Sequence, residues 1–124
     1  MQSLKSRGTP PAPWLRGGQA RLVGYAAANV FGVDAPEIWA PSRRQARVAQ
    51  ARQTAVYLTH VGFSMPLMHV AEAFGRHRTT IGHACAFIED SRDHQRLDHG
   101  LSLLEAALRA HATIFFAADQ GDAR

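Results

Sequence analysis

The sequence predicts an all-α fold built around a helix-turn-helix. Apolar residues recur at helical spacing, most clearly in the stripe Leu97, Leu101, Leu104 and Leu108 near the C-terminus. No segment shows the alternation of apolar and polar residues that marks a half-buried strand. Within 66–88, a glycine separates two short stretches that each have helical periodicity. These observations predict about five helices packed around a common core.

The chain of 124 residues has the size of one domain, and its 46% hydrophobic residues are enough for a buried core. Residues 1–17 are rich in proline and lead into the glycine pair Gly17-Gly18, which predicts a flexible leader. The helical domain is expected over 18–112 and a C-terminal tail over 113–124. The apolar stretch 112–118 is much shorter than the ~20 residues that cross a bilayer. The sequence therefore predicts a protein without membrane contact. The single cysteine, Cys85, cannot form an internal disulfide, which predicts a reducing compartment, the cytoplasm.

The first half of the domain contains two predicted helices. Apolar spacing predicts a helix over 19–31, with Gly32 at its C-cap. Residues 34–37 have the composition of a short capped turn. A longer amphipathic helix is predicted over 44–60, and Gly62 is expected to end it.

Residues 66–88 follow the plan of a helix-turn-helix. Ser64 is the expected N-cap of a short helix that reaches Phe74. Ala71 is small at the point where the two helices must cross, and Gly75 can adopt the left-handed conformation that reverses the chain. The second helix is predicted from His77 to at least Ile88. A last helix is predicted from Gln95 to at least His111.

Charge is distributed unevenly along the chain. Six arginines and one acid, Glu72, lie between Pro41 and Ile88, whereas from Glu89 onward seven acids face four arginines. A basic segment beside an acidic one indicates a surface that meets a polyanion such as nucleic acid. An ordinary solvated arginine face is the alternative.

Several short stretches carry a family resemblance. Ala-Arg-Gln at 51–53, Ala-Phe-Gly-Arg at 73–76, Thr-Thr-Ile at 79–81 and His-Ala-Cys at 83–85 resemble the C-terminal DNA-binding domain (domain IV) of the bacterial replication initiator DnaA. The similarity covers roughly residues 20–105. It extends to short, free-standing DnaA-like proteins in which this domain is the whole chain. The resemblance implies sequence-preferring binding to double-stranded DNA in replication initiation or its regulation, and a nucleoid-associated location.

Helix register and the resemblance together select the candidate contacts. In the predicted register, His77, Arg78 and Thr79 face outward at the start of the second helix, which is the end that meets base edges. The resemblance gives Arg44 the role of a minor-groove arginine and makes Arg52 and Gln53 a phosphate-binding pair. It also matches Thr79, Thr80 and His83 to residues of the family motif. The full predicted DNA-binding set is Arg43, Arg44, Arg47, Arg52, Gln53, Arg76, His77, Arg78, Thr79, Thr80 and His83.

Departures from the family pattern leave other readings open. The turn is one glycine shorter, and His77-Arg78 replaces the family's Asp-His, so sequence preference is expected to differ from the initiator's own site. Arg52 could instead pair with an acid such as Glu37. The alternatives for function are a transcription regulator and an adaptor that binds a replication-initiation protein. The adaptor would use the acidic C-terminal helix and Phe115-Phe116.

The sequence lacks the patterns of the common catalytic sites. No Gly-x4-Gly-Lys-Ser/Thr phosphate loop occurs, so neither nucleotide binding nor ATPase activity is expected. His77 and His83 are not spaced as a zinc pair on adjacent helical turns. Cys85 points inward in the helical register and is predicted to be an inert, buried thiol. The chain is therefore predicted to be a non-enzyme without metal or cofactor.

Overall fold

The computed structural model describes residues 13–41 and 45–122, with side chains described from 17 to 111 within these ranges. Six α-helices lie in the described ranges, and a π-helical turn, Leu58–Gly62, continues the third of them. The helices are α1 (Pro13–Phe31), α2 (Ala35–Trp39), α3 (Ala46–Tyr57), α4 (Leu67–Phe74), α5 (Arg78–Ser91) and α6 (Gln95–Asp122). Among the described residues, none of the helices is both long and apolar enough to cross a membrane. The predicted all-α fold with a helix-turn-helix is confirmed, and α4 and α5 form that motif.

Some predicted boundaries differ from the structure. Helix α1 begins at Pro13, within the segment expected to be a flexible leader, and proline is tolerated in a first helical turn. Helix α3 begins at Ala46 rather than Arg44, because Gln45 has extended backbone angles of φ −104° and ψ 127°. Helix α6 continues to Asp122, past the boundary predicted for a C-terminal tail. Residues 1–12 of the predicted leader lie outside the described residues.

The predicted N-cap at Ser64 is wrong. Ser64 has a positive φ of 55°, and α4 begins at Leu67 with Pro66 in the N-cap position. The Pro66 carbonyl accepts from the amides of His69 and Val70, both at 3.0 Å. Proline fits this position because the N–H of a residue at the start of a helix makes no hydrogen bond within the helix, so its absence costs nothing there.

Helix α3 is the centre of the fold. The second half of α3, up to Tyr57, is buried on nearly every side. The buried stretch continues into Leu58 of the π-helical turn. Helices α1, α5 and α2 pack against α3, and α1 is its most extensive neighbour. Helix α4 packs mainly on α5 and α1, and α6 packs on the π-helical turn and α1. The buried residues they supply are Ala20, Val23, Ala27, Ala28, Ile38, Val70, Ala71, Phe74, Ile81, Ile88, Leu101 and Leu108.

A stack of aromatic rings joins α1, α2 and α4. Trp39 lies parallel to Phe74 with ring centroids 5.9 Å apart, and Tyr25 meets the other side of the indole edge-on at 5.7 Å. Gly24 makes this arrangement possible, since a Cβ at that position would lie 2.5 Å from the indole ring of Trp39. The short helix α2 is thereby pressed against the helix-turn-helix.

Helices α1 and α4 end in the same way. Gly32 and Gly75 have φ of 67° and 64°, and the following amides reach back to the carbonyls of Ala28 and Ala71. This pattern of hydrogen bonds is the Schellman motif, in which a left-handed residue ends the helix and reverses the chain. In the helix-turn-helix it sets the direction in which α5 begins.

A polar network fixes the C-terminal end of α5. Arg92 Nε donates to Asp98 Oδ1 at 2.6 Å, Nη1 donates to the Tyr57 hydroxyl at 2.9 Å and Nη2 donates to Ser102 Oγ at 2.7 Å. Tyr57 in turn donates to Glu89 Oε1 at 2.6 Å. Burial, then the hydrogen bond to Glu89, raises the pKa of Tyr57, so its hydroxyl keeps the proton that it donates. The hydrogen bond to Tyr57 raises the pKa of Arg92, which therefore stays charged.

We expect alanine at Gly75 to lower the free energy of unfolding by about 1–2 kcal/mol, because an L-residue is strained at positive φ. Nothing lies within 4 Å of the added Cβ, so the cost comes from the backbone alone. Gly100 is the matched control, since it lies in α6 and has equally open surroundings. Gly100→Ala should raise stability by up to about 1 kcal/mol through helix propensity. Urea unfolding measures both changes, and equal effects of the two substitutions would refute the left-handed turn.

The thiol of Cys85 packs partly buried against the core, where burial raises its pKa from 9.0 to about 11. We expect it to react with a disulfide reagent at pH 8 about 100-fold more slowly in the folded protein than in urea, because only the thiolate attacks. The reaction is followed by absorbance of the released thiol. Equal rates in the two states would show that Cys85 is freely accessible and ionisable.

Candidate nucleic-acid interface

The first turn of α5 presents a row of polar side chains to solvent. His77 is the N-cap, and its Nδ1 accepts from the amide of Thr79 at 3.1 Å. Because Nδ1 is the acceptor, the proton of the neutral ring lies on Nε2, which is left as a donor. Arg78, Thr79 and Thr80 follow and are all exposed, as predicted from the register. His83 is exposed one turn later.

A groove of about 500 Å³ runs between α3 and α5. Apolar residues such as Val56, Ile81 and Phe87 are part of its lining. Phe87 is 55% exposed, which is unusual for an aromatic ring on a small domain. Five members of the predicted set also line this groove: Arg52, Gln53, Arg76, Thr80 and His83. The fold therefore brings together residues that are up to 31 positions apart in the chain, from Arg52 to His83.

Arg52 is buried, with only 8% of its surface exposed. Its Nε donates to the carbonyl of Ile38 at 2.7 Å, and Nη2 donates to the carbonyls of Glu37 at 2.7 Å and Ala40 at 3.1 Å. These carbonyls lie in and just after the short helix α2, where the helix dipole favours a cation. Arg52 thus has the structural role that the sequence left open, but it binds the backbone of Glu37 rather than the carboxylate. A phosphate contact by Arg52 stays a prediction.

Arg76 also bonds to backbone carbonyls. Nη2 donates to the carbonyl of Ala40, and Nη1 donates to those of Phe74 at 3.3 Å and Gly75 at 3.4 Å. The guanidinium therefore bridges the helix-turn-helix turn and the end of α2. The Ala40 carbonyl receives hydrogen bonds from both Arg52 and Arg76.

The remaining predicted arginines lie elsewhere. Arg47 is exposed in the first turn of α3 and lines a separate depression together with Asp34 and Glu37. It is not part of the groove between α3 and α5. Arg43 and Arg44 lie outside the described residues, so their predicted contacts stay predictions.

Sequence reasoning missed the convergence on Ala40. Ala40 is 12 residues from Arg52 and 36 from Arg76, and no short motif marks bonds of that range to a backbone oxygen. A weak signal was present, because an arginine in the buried half of an amphipathic helix must find acceptors inside the protein. Over the part of the chain that the structure describes, no group of three or more histidine, cysteine or acidic residues could hold a metal ion.

Comparisons with known proteins agree with this geometry. The family described as "Bacterial dnaA protein helix-turn-helix" matches residues 22–88, which include all of α2 to α4 and most of α5. The chromosomal replication initiator protein DnaA of Bifidobacterium animalis subsp. lactis (strain AD011) is 36% identical over 86 residues. That alignment covers 68% of this chain but 15% of the relative.

A solved structure is also similar. The crystal structure of a DNA replication initiation factor superposes with a TM-score of 0.69 and 26% identity, and the match covers 76% of this chain and 29% of that one. The chain spans less than a third of the length of each of these relatives. On the family match, the sequence identity and the shared fold, this chain belongs to the bacterial DnaA helix-turn-helix family.

Proposed function

We propose that this chain binds double-stranded DNA with a sequence preference, in replication initiation or its regulation. The observation that carries the proposal is the exposed first turn of α5, where Arg78, Thr79 and Thr80 follow the His77 cap. An N-terminal end of this kind enters the major groove in helix-turn-helix proteins, and its side chains read base edges. The relatives are a chromosomal replication initiator and a DNA replication initiation factor, which supplies the biological setting.

The flanking residues supply contacts to the DNA backbone. Gln53 and His83 line the groove on either side, from α3 and α5, and both carry hydrogen-bonding groups suited to phosphate oxygens. Arg47 and the predicted contacts Arg43 and Arg44 add positive charge at the start of α3. Each cation that neutralises a phosphate releases counterions, so the affinity falls as salt is added.

We infer that this helix-turn-helix domain reads DNA and has no ATPase activity of its own. Its sequence has no phosphate loop, and the match to the initiator covers 15% of that protein. One domain of this size makes few base contacts, so we infer modest selectivity that is strengthened in the cell by clustered sites or by a protein partner. Phe115 and Phe116, suspected of partner binding, lie beyond the described side chains.

Selection from a random pool of DNA duplexes tests the proposal, with affinity and stoichiometry then measured on the enriched sequence. We expect a short, non-palindromic site bound by one molecule, with an affinity that falls steeply between low and physiological salt. A long palindrome bound by a stable dimer would favour the transcription regulator. Failure to enrich any sequence, together with recovery of a replication protein in pull-downs, would favour the adaptor.

We expect Arg78→Ala to weaken binding to the selected site by about 1–3 kcal/mol and to leave binding to unrelated duplex nearly unchanged. Arginine at this position can donate two hydrogen bonds to the O6 and N7 atoms of guanine. Arg96→Ala is the matched control, because Arg96 is an exposed arginine on α6, away from the groove between α3 and α5. Titration of labelled duplexes measures both variants. Equal losses on specific and unrelated DNA would remove Arg78 from the base-reading set.

A further inference from the structure

Two arginines of the basic segment hold the protein together at one backbone oxygen. Arg52, from the middle of α3, and Arg76, from the helix-turn-helix turn, both donate to the Ala40 carbonyl. Arg52 also holds the carbonyls of Glu37 and Ile38, and Arg76 holds those of Phe74 and Gly75. One acceptor therefore connects the end of α2, the body of α3 and the residue just before the His77 cap of α5.

Ala40 and Arg76 each lie next to the end of a helix. Ala40 directly follows α2 and begins the connection to α3, which starts at Ala46. Arg76 is the residue between Gly75 and the N-cap of α5. The junction thus joins the end of α2 to the residue before the cap of α5, although the two are 36 positions apart in the chain.

We propose that Arg76 is a positioning residue that, with Arg52, holds the start of the recognition helix α5 in a fixed position against the end of α2. The side chains of Arg78 and Thr79 are then presented to base edges from a fixed first turn of α5. The proposal rests on the DNA-binding function proposed above. It makes Arg76 a determinant of sequence preference that acts through Ala40 and Gly75 rather than through a phosphate.

The shape of the side chain supports this role. The two Nη atoms of Arg76 reach acceptors on different segments, Ala40 on one side and Phe74 with Gly75 on the other. A planar guanidinium can bridge such acceptors because its donors form a rigid fork, whereas the single ammonium of lysine is one point of charge. A phosphate contact makes the opposite demand, since lysine binds phosphate well as a point charge.

The test compares Arg76→Lys and Arg76→Gln with the wild-type chain on the selected duplex and on unrelated duplex over a range of salt. We expect Arg76→Lys to lower affinity for the selected duplex roughly tenfold through the disturbed junction, with unrelated duplex affected less than twofold. Arg76→Gln should leave the slope of log affinity against log salt at its wild-type value. A residue that neutralises one phosphate would instead change that slope by about 0.9.

Arg96→Lys and Arg96→Gln are the matched controls, and both should bind as the wild type does. Circular dichroism and urea unfolding of each variant fix a temperature at which all chains are folded, so that affinities are compared between folded proteins. Wild-type specificity in Arg76→Lys, or a slope lowered by about 0.9 in Arg76→Gln, would overturn the inference and leave the proposed function intact. A wild-type chain that enriches no DNA sequence would overturn both.

Discussion

The carbonyl of Ala40 is the point at which α2, α3 and the helix-turn-helix turn are joined. It accepts hydrogen bonds from Arg52, which is buried in the central helix, and from Arg76 in the helix-turn-helix turn. Hydrogen bonds from a charged donor contribute about 1.5–3 kcal/mol each, and a buried guanidinium without acceptors would cost more than that. The three carbonyls that Arg52 binds are therefore a requirement for burying it at the centre of the fold. The stacking of Trp39 on Phe74 adds an apolar contact between the same two elements, the end of α2 and the helix-turn-helix.

The structure divides the basic segment into two groups that charge counting treats as one. Arg47 and Arg78 are exposed, and their charge adds to the field that DNA meets. Arg52 and Arg76 direct donors at backbone carbonyls instead. Both groups raise the positive potential of the surface, because a charge acts at a distance. Only the exposed group has side chains without a backbone role of this kind, and Arg78 is the member that the proposed function assigns to base reading.

Much of the fold could be predicted because it depends on local sequence patterns. Gly32 and Gly75 end helices where the spacing of apolar residues stops, and the left-handed backbone at both positions explains why. The exposure of Arg78, Thr79 and Thr80 follows from the register of one helix. The cap at Ser64 was predicted wrongly because Ser64 takes a positive φ and Pro66, two residues later, occupies the N-cap position. The bonds of Arg52, Arg76 and Arg92 could not be predicted, since each joins segments that are distant in sequence and ends on a partner with no signature of its own.

In the proposed mode of binding, the first turn of α5 meets DNA while the junction at Ala40 stays internal. Nuclear magnetic resonance tests it most directly, by following backbone amides and arginine Nε–H signals during titration with the selected duplex. We expect the largest shifts at the amides of 77–83 and at the Nε–H of Arg78, with little change at the Nε–H of Arg52, which donates to Ile38. Shifts concentrated in α6 would contradict DNA contact by the first turn of α5. An Arg52 signal that moves as far as that of Arg78 would contradict an internal junction at Ala40.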